Sequence, residues 1–229
     1  MAENNPDRAK GLMIVVSAPS GTGKTTICRN VLNLLPGLSF SVSHTTRKAR
    51  RGEQDGRDYH FIEEDEFRRL ADAGEFAEWA ENYGHLYGTS RRVIDDMREQ
   101  GHDILLDVDP QGAKNLKTIF PDGVFVFILP PTIGILRERL ARRGSEDAGM
   151  LRRRLNRAVE EITEARWYDY VIINDTIKES TGALKAICTA EKHRYRFSQN
   201  KIDDLVRKRE TEMEKAKKVA KGQSDRVTE

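Results

Sequence analysis

Leu12-Met13-Ile14-Val15-Val16-Ser17-Ala18-Pro19-Ser20-Gly21-Thr22-Gly23-Lys24-Thr25 is the stretch that decides the fold. A β-rich apolar run from Leu12 to Ser17 enters a glycine-bearing turn, and helical composition follows from Thr26 to Leu35. Strand, glycine turn and Gly-Lys-Thr in this order are the setting in which a loop wraps a polyphosphate. Backbone N–H groups turned inward supply the donors, and the start of the following helix adds positive potential. Gly21 and Gly23 let the chain come close, Lys24 can bridge the β and γ phosphates, and the Thr25 hydroxyl can ligate Mg²⁺. Ala18, Pro19, Ser20, Thr22 and Thr26 complete the expected nucleotide-binding run. Ala18 stands where the motif has its first glycine, which a residue with ordinary negative φ permits. The bland alternative is a chance glycine turn between a strand and a helix. Either way, such a loop names a nucleoside triphosphate and leaves the acceptor open.

Outward from this loop, further apolar runs stand at Ile104 to Val108, Val124 to Leu129 and Tyr170 to Ile173. Helical periodicity occupies Thr132 to Ala141 and Thr176 to His193 between and after them. The alternation predicts an α/β fold, a parallel sheet with helices on both faces. The stretch from Ser39 to Gln100 is too polar and turn-rich for a simple crossover and reads as an inserted subdomain, with a helix at Glu64 to Ala73 and a strand at Phe76 to Tyr83. From Arg137 to Arg157 there are eight arginines and three acids, interrupted by two glycines, which reads as a hinged, arginine-rich flap. The core is thus expected over 11–38 and 101–197, the insertion over 39–100, the flap over about 137–157, and a charged tail over 198–229 that is helical and frays after Gly222.

The 229 residues are 38% hydrophobic and 33% charged, a composition for one globular chain with a full-sized core. No apolar run approaches the ~18 residues of a membrane helix, and the N-terminus lacks a secretory pattern, so a cytoplasmic protein is expected. Cys28 and Cys188 have no metal-ligand spacing and read as reduced helix residues. Of the net charge of +2, all comes from the tail, whose nine Lys or Arg face seven acids. A neutral body argues against binding nucleic acid by bulk charge. The tail's basic clusters are interleaved with Glu210, Glu212 and Glu214 and have no aromatics for base stacking, so a solvated helix or a self-association element is the expectation.

The insertion carries Ser43-His44-Thr45-Thr46-Arg47-Lys48-Ala49-Arg50-Arg51-Gly52-Glu53 and then Gly56-Arg57-Asp58-Tyr59. Arg47 and Arg50 with Tyr59 could clamp a phosphate monoester, since a guanidinium fork matches phosphate oxygens and a phenol adds a donor. A solvated basic loop is the other reading. Together with the phosphate loop, Phe-Ala-Glu-Trp-Ala at 76–80, Tyr-Gly-Thr at 87–89, Leu-Asp-Val-Asp-Pro-Gln-Gly at 106–112 and Arg-Arg-Gly at 142–144, this segment resembles the guanylate kinase family of bacterial type, ATP:GMP phosphotransferases, from about Gly11 to Phe197. The resemblance implies a P-loop kinase with a GMP-binding insertion and an arginine-rich lid. It also implies ATP and GMP as substrates, Mg²⁺ as cofactor and a place in purine metabolism.

The resemblance further implies that Arg47, Arg50, Tyr59 and Tyr87 hold the GMP phosphate, with Glu53 supporting the arginines. Ser43, Glu78, Thr89 and Asp109 would read the base. Guanine offers an O6 acceptor with N1–H and N2–H₂ donors, for which hydroxyls and a carboxylate are the complement, whereas adenine sets its N1 acceptor against Glu78. An unmatched buried polar group costs about 1–3 kcal/mol, so two or three such contacts discriminate a hundredfold or more. Asp107 and Asp109 close a core strand at the end where ligands of open α/β sheets collect. Asp107 is assigned to Mg²⁺, through water, although either aspartate could cap the helix that begins near Pro110. Arg139, Arg143 and Arg154 resemble lid residues that reach the phosphates on closure, and Asn174 would touch adenine. Two other readings are a non-catalytic module of the same fold that binds phosphopeptides, and a P-loop kinase with a different phosphorylated acceptor. Lys24, Thr25, Arg47, Glu78 and Asp109 together argue against the first, Glu78 and Thr89 against the second.

Overall fold

Four apolar runs and one three-residue strand pair in parallel into a single sheet. In the computed structural model, which describes residues 10–82, 84–142 and 148–224, the strands are β1 (Met13–Ser17), β2 (Leu38–Phe40), β7 (Asp103–Asp107), β8 (Val124–Leu129) and β9 (Tyr170–Ile173), in the order β2-β7-β1-β8-β9. β1 lies centrally between β7 and β8, with Val15 opposite Leu106 and Phe125. Met13 to Val16 are fully buried, as expected of a parallel strand covered on both faces. Strand order reverses beside β1, so its C-terminal end, and with it the loop at 18–23, opens onto the crevice where such sheets bind ligands.

Helices α1 (Lys24–Leu34), α3 (Arg91–Glu99), α4 (Pro110–Ile119), α5 (Ile133–Arg142), α6 (Ala148–Thr163) and α7 (Ile177–Lys192) flank this sheet. One cluster joins Met13, Val15, Ile94, Leu106, Leu116, Phe125 and Phe127, and Tyr168 closes it from the 3₁₀ turn at Glu164–Trp167. A separate cluster of Leu136, Leu140 and Ala158, with Leu151 and Leu155 against it, packs α5 on α6. The helix after the loop begins at Lys24, two residues before the expected Thr26, because Gly23 in a left-handed conformation already caps it. β2 pairs with β7 through Leu38, Ser39 and Phe40, so the core reaches two residues into the stretch expected to be insertion. Three residues are too few to show a period.

The second sheet has the order β4-β3-β6-β5, built from β3 (His44–Thr45), β4 (His60–Phe61), β5 (Phe76–Asn82) and β6 (His85–Ser90). Helix α2 (Glu64–Asp72) presents Phe67 to Phe76 and Leu86, a compact apolar seam under this sheet. Register shifts between Phe76 and Glu78, a β-bulge that re-aims the strand so that Glu78 points inward and Trp79 outward. The chain divides into two units, the first of which is Lys10–Glu191. Within the described residues the second holds α8 (Tyr195–Ser224), a single helix with Ile202, Leu205, Val206 and Met213 exposed. No helix among the described residues is long and apolar enough to cross a membrane.

Phe127 is fully buried between the sheet and the Tyr168 ring, 4.8 Å away, whereas Ile173 at the sheet edge is 63% exposed. Phe127→Ala should lower unfolding free energy in urea by about 3–5 kcal/mol, and Ile173→Ala by less than about 0.5 kcal/mol. Equal losses would contradict this placement of the core.

Candidate active site

The loop between β1 and α1 is held open by two left-handed glycines. Gly21 has φ +90° and Gly23 φ +98°, a region that side chains make costly. Space matters as well as angle: a Cβ on Gly23 would sit 2.8 Å from Asn174 Nδ2 and 3.1 Å from Ile177, and one on Gly21 would sit 2.9 Å from Leu140. The carbonyl of Thr22 accepts from Asn174 Nδ2 at 2.5 Å and from Arg139 Nη1 at 3.3 Å. Ser180 donates to Asn174 Oδ1 at 2.9 Å, and Thr22 bonds the Pro19 carbonyl through its hydroxyl. The Thr22 carbonyl is thus held by Asn174 and Arg139, and its N–H is tied back to the Pro19 carbonyl, which fixes the curve of the loop.

Two residues given nucleotide roles by the resemblance, Asn174 and Arg139, belong to this network. Asn174 is fully buried with both ends of its amide bonded, to Thr22 and Ser180, and so backs the loop. Arg139 gives its guanidinium to the carbonyls of Thr22, Asn174 and Asp175, again behind the loop. Ser180, one turn into α7, was missed because a serine in a helix carries no signal of what it faces. Arg154 does reach the loop, with Nη2 2.9 Å from Ser20 Oγ. Arg143 lies outside the described residues. Arg157 pairs with Glu161 at 2.9 Å, and Arg137, Arg142, Arg152 and Arg153 are exposed.

At the head of α1, Lys24 Nζ lies 2.6 Å from Asp107 Oδ1 and 2.5 Å from the Val108 carbonyl. Burial pulls the lysine pKa down, but Asp107 outweighs it and the amine is held above its ordinary value. Thr25 Oγ1 is 3.2 Å from the other oxygen of the same carboxylate, and Thr26 is exposed one residue on. Thr25 and Asp107 together form a hard oxygen donor pair. That set suits Mg²⁺, which takes one or two carboxylates and completes its shell with phosphate oxygens and water.

Across the crevice, the second sheet arranges a row of polar side chains. Thr89 stands directly opposite Glu78 in the β5–β6 register and donates to its Oε1 at 2.6 Å. Ser43 Oγ is 3.1 Å from Thr89 Oγ1. Because the single Thr89 proton goes to the carboxylate, Ser43 must be the donor to Thr89, and the row runs Ser43 to Thr89 to Glu78. Asp109 caps α4, accepting from Gly112 N at 2.8 Å, as the capping alternative anticipated. Glu78 lies against Gly112 beside Asp109, and Lys24 bonds the neighbouring Val108 carbonyl, so the row and the loop meet at the end of β7.

A third group lies beside the row. Arg47 is largely buried and makes a two-pronged bond to Glu53, at 2.9 and 3.0 Å. Glu53 also accepts from the Arg50 N–H at 2.7 Å, which fixes the turn that carries Arg50. The Arg47 guanidinium lies over the Tyr59 ring at 5.4 Å, and Tyr59 meets Tyr87 edge-on at 5.9 Å. Burial, reinforced by Asp107, pushes the Tyr59 phenol up to about 12, so it remains a proton donor at neutral pH. Arg47, Tyr59 and Tyr87 therefore come together, with Glu53 joining Arg47 to the Arg50 backbone.

These features have relatives. A family profile described as guanylate kinase matches residues 10–191. The guanylate kinase of Syntrophus aciditrophicus is 52% identical over 186 residues, covering 81% of this chain and 89% of that one. That of Geobacter metallireducens is 48% identical over 187 residues, covering 82% and 92%. Among solved structures, the crystal structure of guanylate kinase from Anaplasma phagocytophilum matches with TM-score 0.70 and 34% identity over 82% of this chain and 90% of that one.

Burial, with Asp109 adding to it and the Thr89 hydrogen bond opposing it, pushes the Glu78 carboxyl from an ordinary 4.5 to about 7. The folded chain then holds a proton that the unfolded chain has released, so this group's contribution to stability declines as pH rises from 4.5 through about 7. Glu78→Gln removes the penalty. The variant should match its parent in urea unfolding at pH 4.5 and exceed it by about 1–3 kcal/mol at pH 8. A difference that does not change with pH would contradict the buried setting of this carboxyl.

Proposed function

The chain belongs to the guanylate kinase family and transfers the γ-phosphate of ATP to GMP, giving ADP and GDP; on that premise we propose how its residues share the work. The loop from Ala18 to Thr25 takes the ATP phosphates, with Lys24 on the transferring group and Arg154 joining from α6. Arg139 and Asn174 act one step back, holding the Thr22 carbonyl so that the loop keeps its shape. Arg47, Arg50, Tyr59 and Tyr87 bind the GMP phosphate, and Glu53 orients the two arginines. Ser43, Thr89, Glu78 and Asp109 read guanine. The observation that carries this reading is that the polar row and the Lys24 loop meet at the end of β7, where Lys24 bonds the Val108 carbonyl and Glu78 lies against Gly112 beside Asp109.

Guanine brings two kinds of donor, N1–H and N2–H₂, and the row offers acceptors to both. Thr89 commits its proton to Glu78 and accepts from Ser43, so its remaining lone pair and those of Ser43 are available. The second oxygens of Glu78 and Asp109 serve the same edge. Thr25 and Asp107 would hold Mg²⁺, whose charge would offset that of the phosphates. The attacking oxygen of the GMP phosphate is anionic at pH 7, and no side chain is needed as a strong base. Catalysis then rests on alignment and on neutralising charge at the transferring group. Lys24 leaves Asp107 for the phosphates when nucleotide enters, which frees that carboxylate for the ion.

Purified protein given Mg·ATP should form ADP with GMP and not with AMP, UMP or CMP. Lys24→Met should lower kcat about a hundredfold or more in a chain that still folds. Turnover with another monophosphate would discard the guanine row and keep the loop. A Lys24→Met enzyme with near-normal kcat would discard the assignment of the loop lysine.

A further inference from the structure

Helix α4 opens with Asp109 as its cap, Pro110 as its first residue and Gly112 as its third. Glycine is the least favoured helical residue after proline, and Gly112 is not among the glycines with positive φ. Its backbone therefore makes no demand that alanine could not meet. Its surroundings make one. A Cβ on Gly112 would come within 2.9 Å of Glu78 Cδ and closer still to Oε2, while Asp109 Oδ1 would be 3.4 Å away. What fills the space of the missing side chain is the carboxylate of the polar row.

We infer that Gly112 is a positioning residue for guanine specificity: by lacking a side chain it admits the Glu78 carboxylate to the depth at which it meets both Thr89 and the base. Glu78 cannot yield elsewhere without cost. It is 7% exposed, its strand is aimed by the bulge at Phe76 and Glu78, and its Oε1 is tied to Thr89 at 2.6 Å. A methyl group at 112 drives the carboxylate toward the cleft, into the space the base requires, or off Thr89. The helix itself is not harmed, since the Gly112 N–H keeps its bond to Asp109 and alanine favours the helical state. GMP and ATP binding are thereby affected unequally, which a purely structural glycine would not do. The inference rests on the reading of Glu78 as the residue that meets guanine.

The test is a kinetic set of Gly112→Ala, Glu78→Gln, Glu78→Asp and the double variant Gly112→Ala/Glu78→Asp, with Tm recorded for each. Gly112→Ala should raise KM for GMP tenfold or more and leave KM for ATP within twofold, in a chain that still folds. Glu78→Asp, one methylene shorter, should be impaired alone yet lose little more when Gly112→Ala is added, because the shorter side chain has already left the crowded space. A Gly112→Ala enzyme with KM for GMP within twofold of the parent overturns the inference. So does an equal rise in both KM values, or losses in the two single variants that simply multiply. If Gly112→Ala fails to fold and the double variant folds, the same steric conflict is reported, and failure of both overturns it. Glu78→Gln separates the premise: an unchanged KM for GMP in that variant removes the guanine reading itself, whereas a raised KM there with a silent Gly112→Ala removes only this inference.

Discussion

The backbone at Gly23 is the constraint on which the rest of the site depends. Strand β1 must stop, turn its amides inward and restart as α1 within the six residues from Ala18 to Gly23, and it does so by entering the left-handed region twice. Such a turn does not hold its shape unaided. Asn174 and Arg139 bind the carbonyl that points away from the cleft, Ser180 orients Asn174, and Leu140 and Ile177 press on the glycines from the side. The contributors come from the loop after β9 and from α5 and α7, so the loop is shaped by elements distant in sequence. A buried amide left without its partner costs about 1–3 kcal/mol, which makes this support costly to lose.

The acceptor side obeys a different rule. Its residues are aligned by sheet register: Ser43 at the head of β3, Thr89 in β6 and Glu78 in β5 form one line across three strands. The bulge before Glu78 turns that side chain inward, and α4 presents Gly112 and the Asp109 cap to the same place. Beside the line, Glu53 binds Arg47 and the Arg50 backbone, so the arginines are placed before any phosphate arrives. The insertion thus carries both the polar row and the group of Arg47, Tyr59 and Tyr87, and the core carries the glycine loop, with Asp107 and Asp109 at the end of β7 between them.

Much of this was legible in the sequence where the determinant is local. The loop announced itself through Gly21, Gly23 and Lys24 after an apolar strand, and the parallel core through four runs of apolar residues. Less was legible where the determinant is tertiary. β2, β3 and β4 have two or three residues each, too few to express a period. Eight arginines from 137 to 157 could not be sorted by composition, because which of them reaches Ser20 or Thr22 depends on how α5 and α6 pack through Leu136, Leu140 and Ala158. That Asn174 bonds Thr22 and Ser180 behind the loop depends likewise on tertiary packing and has no local signal.

The most direct test of this account is the affinity of a Gly23→Ala chain for a non-hydrolysable ATP analogue, measured by calorimetry beside its affinity for GMP. The account predicts a loss of about a hundredfold or more for the analogue, since strain at φ +98° and contact with Asn174 must distort the loop, with GMP affinity within a fewfold of the parent. Analogue affinity within threefold of the parent, in a folded chain, would contradict it.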